Sequence, residues 1–323
     1  MKKIIALVFT VTILIGMFTG CVKTDKVLTL NVYNWGEYIS DGSDGSLDIN
    51  KEFEKYYFDT YGQKVKVNYT TYASNEDMYN KISSGATSYD VIIPSDYMIA
   101  RMIKEDMLLK LNFENIPNFS YIDEQYKNAY YDPTSEYSVP YLCGYVGIIY
   151  NTTLIDSEIS DWDCLWDEAN QGKILQFNNP RDAFGTALYH KGYDVNSSNK
   201  SEWNEAKELL KEQKPYVQSY VMDEVFNKMK NGSAAIAPYY VGDFFTMYED
   251  NEDIAVIYPK SQTNLFVDAM CIPKVARNKD LAEAYINFCL TEEISVANAE
   301  YVCYASPNVL VKDNEEYIEY MTD

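Results

Sequence analysis

Histidine is almost missing from this chain: 323 residues hold one. That scarcity excludes His-centred metal sites and catalytic triads built on a histidine base. Cations are also short, with 27 Lys and Arg against 49 Asp and Glu, a formal net charge of −22. Nucleic-acid binding needs clustered cations that displace counterions from phosphate, so this surface would repel a nucleic acid. Beyond the first twenty residues no run of about twenty apolar residues occurs, which leaves no second candidate for a membrane-spanning helix. No Pro/Gly/Ser linker, internal repeat or low-complexity tract divides the chain. The cysteines at 143, 164, 271, 289 and 303 are odd in number and without CxxC spacing. They read as small buried apolar residues, not as a disulfide framework or a metal site. What is present in quantity is acid and tyrosine: 31 Tyr in a chain that is 47% hydrophobic. That composition suits about two globular domains with an anionic surface that attracts cations.

The N-terminus reads as an export signal. Met1-Lys2-Lys3 is a short positive region, and Ile4 to Met17 is apolar but for Thr and Gly. Phe18-Thr19-Gly20-Cys21 follows and resembles a bacterial lipobox, with Phe18 where a smaller aliphatic residue is usual. Residues 1–20 are therefore expected to be removed and Cys21 to carry lipid. The product would be exported, held to the outer face of the cytoplasmic membrane or periplasmic, and attached through that lipid alone. Cleavage takes away Lys2 and Lys3 and no acid, so the exported part is the more acidic.

Along the body, strand-like and helix-like segments alternate as in an α/β protein with mainly parallel sheets. Val27 to Tyr33 alternates as a strand; a helix runs through Phe53, Tyr56 and Tyr57 to a stop at Gly62; Val65, Val67 and Tyr69 mark a second strand. Ser74 with Asp77 three residues on predicts a helix start, with an end near Gly85. Tyr89 to Ile93 is a third strand. A second α/β stretch is expected after Pro140-Tyr141-Leu142-Cys143-Gly144. Strands are predicted at Gly147–Asn151, Lys173–Phe177, Ala234–Ala237 and Ile254–Tyr258, and helices around Trp162/Trp166, Trp203/Leu210 and Val225/Met229.

The segments that end these strands carry acids beside aromatics. Tyr33-Asn34-Trp35-Gly36-Glu37-Tyr38 is the densest, and Ser95-Asp96-Tyr97, Arg181-Asp182, Tyr239-Tyr240 with Gly242-Asp243, Phe266-Val267-Asp268 and Tyr304 to Asn308 follow the same habit. An aromatic face attracts an ammonium ion and a carboxylate pairs with it. Each patch alone could equally be a buried aromatic cluster capped by a solvated acid.

Taken in order, these patches resemble the substrate-binding proteins of spermidine/putrescine ABC transporters. The likeness is carried by Tyr33 to Tyr38, Tyr72-Ala73-Ser74-Asn75-Glu76 with Met78-Tyr79, Tyr89 to Ser95, Val139-Pro140-Tyr141, Asp268 to Pro273, Ala284 to Phe288 and Ser306-Pro307-Asn308. The resemblance implies an α/β, bilobal periplasmic-binding-protein fold of type II: two α/β lobes joined by a hinge, with the ligand cleft between them. With crossings near Gly144, Phe266 and Lys312, it implies one lobe from 27–144 and 267–312 and another from 145–266 and 313–323. It implies a polyamine ligand (putrescine or spermidine), permease subunits as partners, and neither cofactor, metal nor catalysis.

By the same resemblance Trp35 stacks beside the methylenes, Glu37 and Tyr38 meet one amine, and Ser95 and Tyr97 line the same side. Asp182 serves a terminal amine, Tyr240 supplies an aromatic, Asp268 meets an amine near the middle, and Tyr304 completes the wall. Three positions depart from the spermidine-type pattern: Asn179 stands where a second Asp is usual, Phe266 where Trp is usual, and Asp243 matches an acid of putrescine-type members. Two other readings compete. Tyr239-Tyr240 resembles the phenolate pair of ferric-ion-binding proteins of the same fold, Fe(III) preferring hard oxygen ligands. An exported glycosidase using two carboxylates is the other, without a local signature to carry it.

Overall fold

The computed structural model describes residues 27–322. The export signal and Cys21 lie outside the described residues. Among the described residues nine strands occur: β1 Leu28–Trp35, β2 Val65–Tyr72, β3 Val91–Ile92, β4 Ser138–Asn151, β5 Ile174–Phe177, β6 Val217–Val221, β7 Ile236–Tyr240, β8 Ile254–Ile257 and β9 Leu265–Cys271. The α-helices are α1 Ile49–Tyr61, α2 Asn75–Ser83, α3 Asp96–Lys104, α4 Pro180–His190, α5 Lys200–Gln213, α6 Glu224–Lys230, α7 Val241–Tyr248, α8 Lys279–Cys289, α9 Glu292–Val302, α10 Val309–Lys312 and α11 Glu315–Thr322. Trp162–Trp166, predicted helical, forms a 3-10 turn.

Local chemistry sets the helix ends. The Asp48 carboxylate accepts from the Lys51 N–H at 3.0 Å to start α1, and Gly62, with φ +66, ends it in the left-handed conformation that glycine adopts freely. Ser74 accepts from the Asp77 N–H at 3.1 Å to start α2, as its sequence predicts.

The strands form one order, β2-β1-β3-β9-β4-β7-β5-β6, with β8 also on β4. The outer pairs β1/β2, β1/β3, β5/β6 and β5/β7 are parallel. The central pairs β3/β9, β9/β4, β4/β7 and β4/β8 are antiparallel, which corrects the expectation of mainly parallel sheets. Alternation in sequence does not encode strand direction, and the long β4 was legible only in its second half. Its first half, Ser138–Tyr145, pairs with β9; its second half, from Val146, pairs with β7 and β8. A register shift between Pro140 and Leu142 accommodates the proline, which has no N–H to give the ladder.

Two large cores flank this shared strand. One contains Leu30, Val32, Phe53, Val91, Ile272 and Ile286, extended by a cluster around Met98 and Ile99. The other contains Ile148, Trp162, Leu175, Leu188, Val225 and Ile236. Each fully buried side chain of this size contributes roughly 1.5–3 kcal/mol. A small aromatic cluster, Tyr38, Leu142, Phe266 and Tyr304, sits where β4 and β9 pass from one core toward the other. Gly144 faces Phe266 in that ladder. Helix α11 packs on α9 through Tyr317, and the first turn of α9 enters the first core at Ile294. The late helices follow α9 because Val311 and Tyr317 bury against Val296 and Ala299.

Candidate functional site

The carboxyl ends of β1, β5, β6 and β7, with the start of α3 and the amino half of β9, open onto one cleft of about 640 Å³, part of it open to solvent. Crevices outside the carboxyl ends of parallel strands are where open α/β sheets hold ligands. On the side of the first core stand Trp35, Gly36, Tyr38, Ser95, Asp96, Tyr97, Asp268 and Tyr304. Facing them are Arg181, Asp182, Met222, Asp223, Tyr239, Tyr240, Asp243, Asn264 and Phe266. Every ligand residue expected from the sequence is on this wall except Glu37. Strand β1 ends at Trp35, and Glu37 takes φ +48, so the chain turns there and leaves its side chain exposed. The buried Asn34 holds that turn, giving its Nδ2 to the Tyr38 carbonyl at 3.3 Å and accepting from the Trp35 N–H at 2.8 Å.

Aromatic positions are fixed from behind. Trp35 donates Nε1–H to the Ile93 carbonyl at 3.0 Å and lies against Tyr72, 4.7 Å between ring centroids. Tyr38 meets Tyr304 edge to face at 5.1 Å, and Phe266 meets Tyr240 the same way at 5.3 Å. Tyr304 has glycine on two sides: a Cβ on Gly144 would come to 3.1 Å of its ring and one on Gly242 to 2.5 Å. Only glycine lets β4 and the first turn of α7 press so closely on the ring.

The carboxylates are less completely served. Asp268, 4% exposed, accepts from the Tyr38 hydroxyl at 2.8 Å through Oδ2, while its buried Oδ1 has no hydrogen-bond partner. Burial pushes its carboxyl up to about 7, against the neighbouring Ser95 and Tyr38 hydroxyls, which hold it down. Asp182 accepts from Tyr240 Oη and Asn179 Nδ2, both at 2.7 Å. Burial pushes it to about 6, with Tyr240 and the Arg181 charge opposing. Asp243 is pushed to about 8 by burial and by the Asp223 and Glu37 charges, the Tyr304 hydroxyl opposing. Asp96 and Asp223 are raised as well, first by burial.

Asp223 was missed. Met222-Asp223-Glu224 is an acidic helix start, yet Asp223 follows β6 as Asp182 follows β5, and the strand-end habit would have found it. Its carboxylate stands so close to Gly36 that a Cβ there would lie 2.5 Å away. Tyr239 and Tyr240 do not act as a pair: Tyr239 is 2% exposed and stacks on Phe177 at 5.5 Å, while Tyr240 spends its hydroxyl on Asp182. Among the described residues no group of three or more His, Cys, Asp or Glu is arranged to hold a metal ion, and all five described cysteines are free thiols.

Residues 49–322 match the family model described as bacterial extracellular solute-binding protein. The chain is 32% identical over 286 residues to the spermidine/putrescine-binding periplasmic protein of Salmonella typhimurium, covering 88% of this chain and 79% of that one. This chain belongs to the solute-binding proteins of spermidine/putrescine ABC transporters. The solute-binding protein also overlays a putative spermidine/putrescine ABC transporter protein of Listeria monocytogenes with a TM-score of 0.82, at 36% identity and covering 90% and 87% of the two chains. A lipoprotein of Treponema pallidum overlays with a TM-score of 0.76, at 30% identity and 90% and 92% coverage. The fold of this solute-binding protein is therefore the bilobal type II periplasmic-binding-protein fold. These relatives are transport proteins by name, not enzymes.

Proposed function

We propose that this solute-binding protein captures a short polyamine, putrescine or spermidine, in the cleft and delivers it to an ABC permease. The observation that carries this reading is Asp268, a buried carboxylate with an unpartnered oxygen that lines a slot walled by aromatic rings. An ammonium supplies what Asp268 lacks, and Trp35, Phe266, Tyr240 and Tyr304 flank the methylenes. Asp243 and Asp182 serve the other charges, with Tyr38, Ser95 and Tyr97 as hydroxyl partners. Glu37 lies off the wall and contributes charge at the mouth.

Affinity near 1 μM requires about −8 kcal/mol, and each ammonium loses several kcal/mol of hydration on entry. No single acid or ring offsets that; acids from both sides of the cleft, closing on one ligand, can. Lobe one is read as 27–144 and 267–312, lobe two as 145–266 and 313–323, with Gly144 opposite Phe266 at the crossing. Groups from both lobes touch one ligand, so closure is favoured when the ligand is present. Cys21 is read as the lipid-bearing residue that keeps the protein beside its permease. Titration calorimetry with putrescine, spermidine and spermine tests the reading: heat and saturation are expected with at least one of them, and no heat with any of the three would sink it.

A further inference from the structure

Among the described residues that line the cleft, Arg181 is the one cation; it lies over the ring of Tyr97, 5.2 Å from the centroid, and its charge acts on Asp182 and Asp96. The acid least served by its surroundings is Asp223. It is the N-cap of α6 yet makes no capping hydrogen bond, and neither a hydrogen bond nor an ion pair reaches its carboxylate. Burial and the charges of Glu37 and Glu224 all disfavour its ionised form, with nothing opposing them.

Its position is as particular as its charge. Asp223 belongs to the side of the cleft opposite the Trp35–Tyr38 turn and reaches across to it, its Oδ2 so near Gly36 that a Cβ there would come within 2.5 Å. Gly36 has no positive φ that would call for glycine, so what its missing side chain provides is room for this carboxylate. The contact brings Asp223 toward the like charge of Glu37, an arrangement that costs energy unless a cation joins them. That the cleft takes a cation is indicated separately by Asp268, 4% exposed and with one oxygen unpartnered. Asp268 feels the charges of Asp96 and Asp182, and Asp223 that of Glu37, so the two acids lie toward different ends of the slot.

Resting on the polyamine reading above, we propose that Asp223 is a further ligand-binding residue. Beside Asp243, its carboxylate pairs with the polyamine ammonium nearest the Trp35–Tyr38 turn, and by resting on Gly36 as it does so it latches the two sides of the cleft around the ligand. The pairing is made in full only when the cleft is closed, because the acid and the turn stand on opposite sides.

Calorimetric titration of the full chain with putrescine and with spermidine tests this on the wild type, Asp223→Asn, Asp223→Ala, Gly36→Ala, Glu224→Gln and the double variant Gly36→Ala/Asp223→Ala. Asp223→Asn keeps the shape and removes the charge, and should bind the better ligand about fivefold more weakly, as for a partly exposed ion pair. Glu224→Gln removes the same charge from the next residue and should stay within about twofold of the wild type. Gly36→Ala should weaken binding about threefold by displacing the carboxylate, and should add no further loss once Asp223 is alanine, since both changes break one contact. Wild-type binding with an Asp223→Asn affinity that is unchanged, or reduced only as much as in Glu224→Gln, overturns the inference and leaves the polyamine reading standing. A Gly36→Ala cost that is the same in both backgrounds overturns the latch. No heat from the wild type with either compound sinks the polyamine reading, and this inference with it.

Discussion

Buried acids occur both in the body of this protein and in its cleft, and they are treated differently. Asp90, fully buried, accepts from the backbone N–H groups of Asn31 at 2.9 Å, Arg277 at 2.8 Å and Asn278 at 3.0 Å. Asp132 accepts from the N–H groups of Tyr137 and Ser138 and from the Ser138 hydroxyl. Each pins a loop to a strand. Asp268 is buried to a similar degree, yet one oxygen accepts from the Tyr38 hydroxyl and the other has no hydrogen-bond partner, with the Ser95 hydroxyl nearby. The difference teaches that burial alone does not mark a binding group; burial with an unmet demand does, because the missing partner must then come from outside.

The largest expected effect attacks the body side of that contrast. Asp90→Ala strands three backbone N–H groups and should cost about 4 kcal/mol of unfolding free energy, each unmet donor costing about 1–3. Denaturant titration checks it, and a cost below about 1 kcal/mol would dissolve the distinction. On the cleft side, Asp268→Asn should weaken polyamine binding at least about tenfold, since a buried ammonium loses its counterion. It should leave the ligand-free protein no less stable, because the charge removed was already poorly served. Affinity unchanged by calorimetry would remove Asp268 from the site.

A third test uses pH. Asp182, Asp268 and Asp243 titrate at about 6, 7 and 8 in the free protein, above the ordinary 3.8 that unfolding restores. A carboxyl raised by folding contributes stability that is complete below about pH 4 and lost as pH climbs through 6 to 8. A bound ammonium returns that loss by pairing with the ionised form. The ligand-induced rise in Tm should therefore grow from pH 5.5 to 8.5, affinity should rise about tenfold, and protons should be released on binding below pH 8. Calorimetry in buffers of different ionisation heat detects that release, and a buffer-independent enthalpy contradicts it. The smallest effect is Tyr240→Phe, which deletes one of the two donors to Asp182. About threefold weaker binding at pH 7, recovered at pH 8.5, is the expected result, because Asp182 loses a donor that favours its ionised form and titrates higher.

The strand-end acids and aromatics were legible because each follows a short alternating run, as Trp35 and Tyr240 do. Glu37 was not, since the two-residue period that would place it beside Trp35 stops where the backbone turns at φ +48. Asp223 hid inside an acidic helix start. Antiparallel pairing at the centre was also invisible: residues 138–145 carry a proline and a glycine, and only the partner β9 makes them a strand. Arg181 was visible as a residue but not as a neighbour of Tyr97, a contact between elements 84 positions apart in the chain.

The ring of Tyr304, gripped between Gly144 and Gly242, also constrains how such a cleft can drift over generations. A side chain at Gly242 would overlap the ring at once, whereas a smaller residue at 304 first opens space there; at Gly144 the Phe266 ring would still stand in the way. Changes of cleft width are therefore ordered in time: the ring must shrink before residue 242 can grow, and reversing the path means restoring Gly242 before the tyrosine can return.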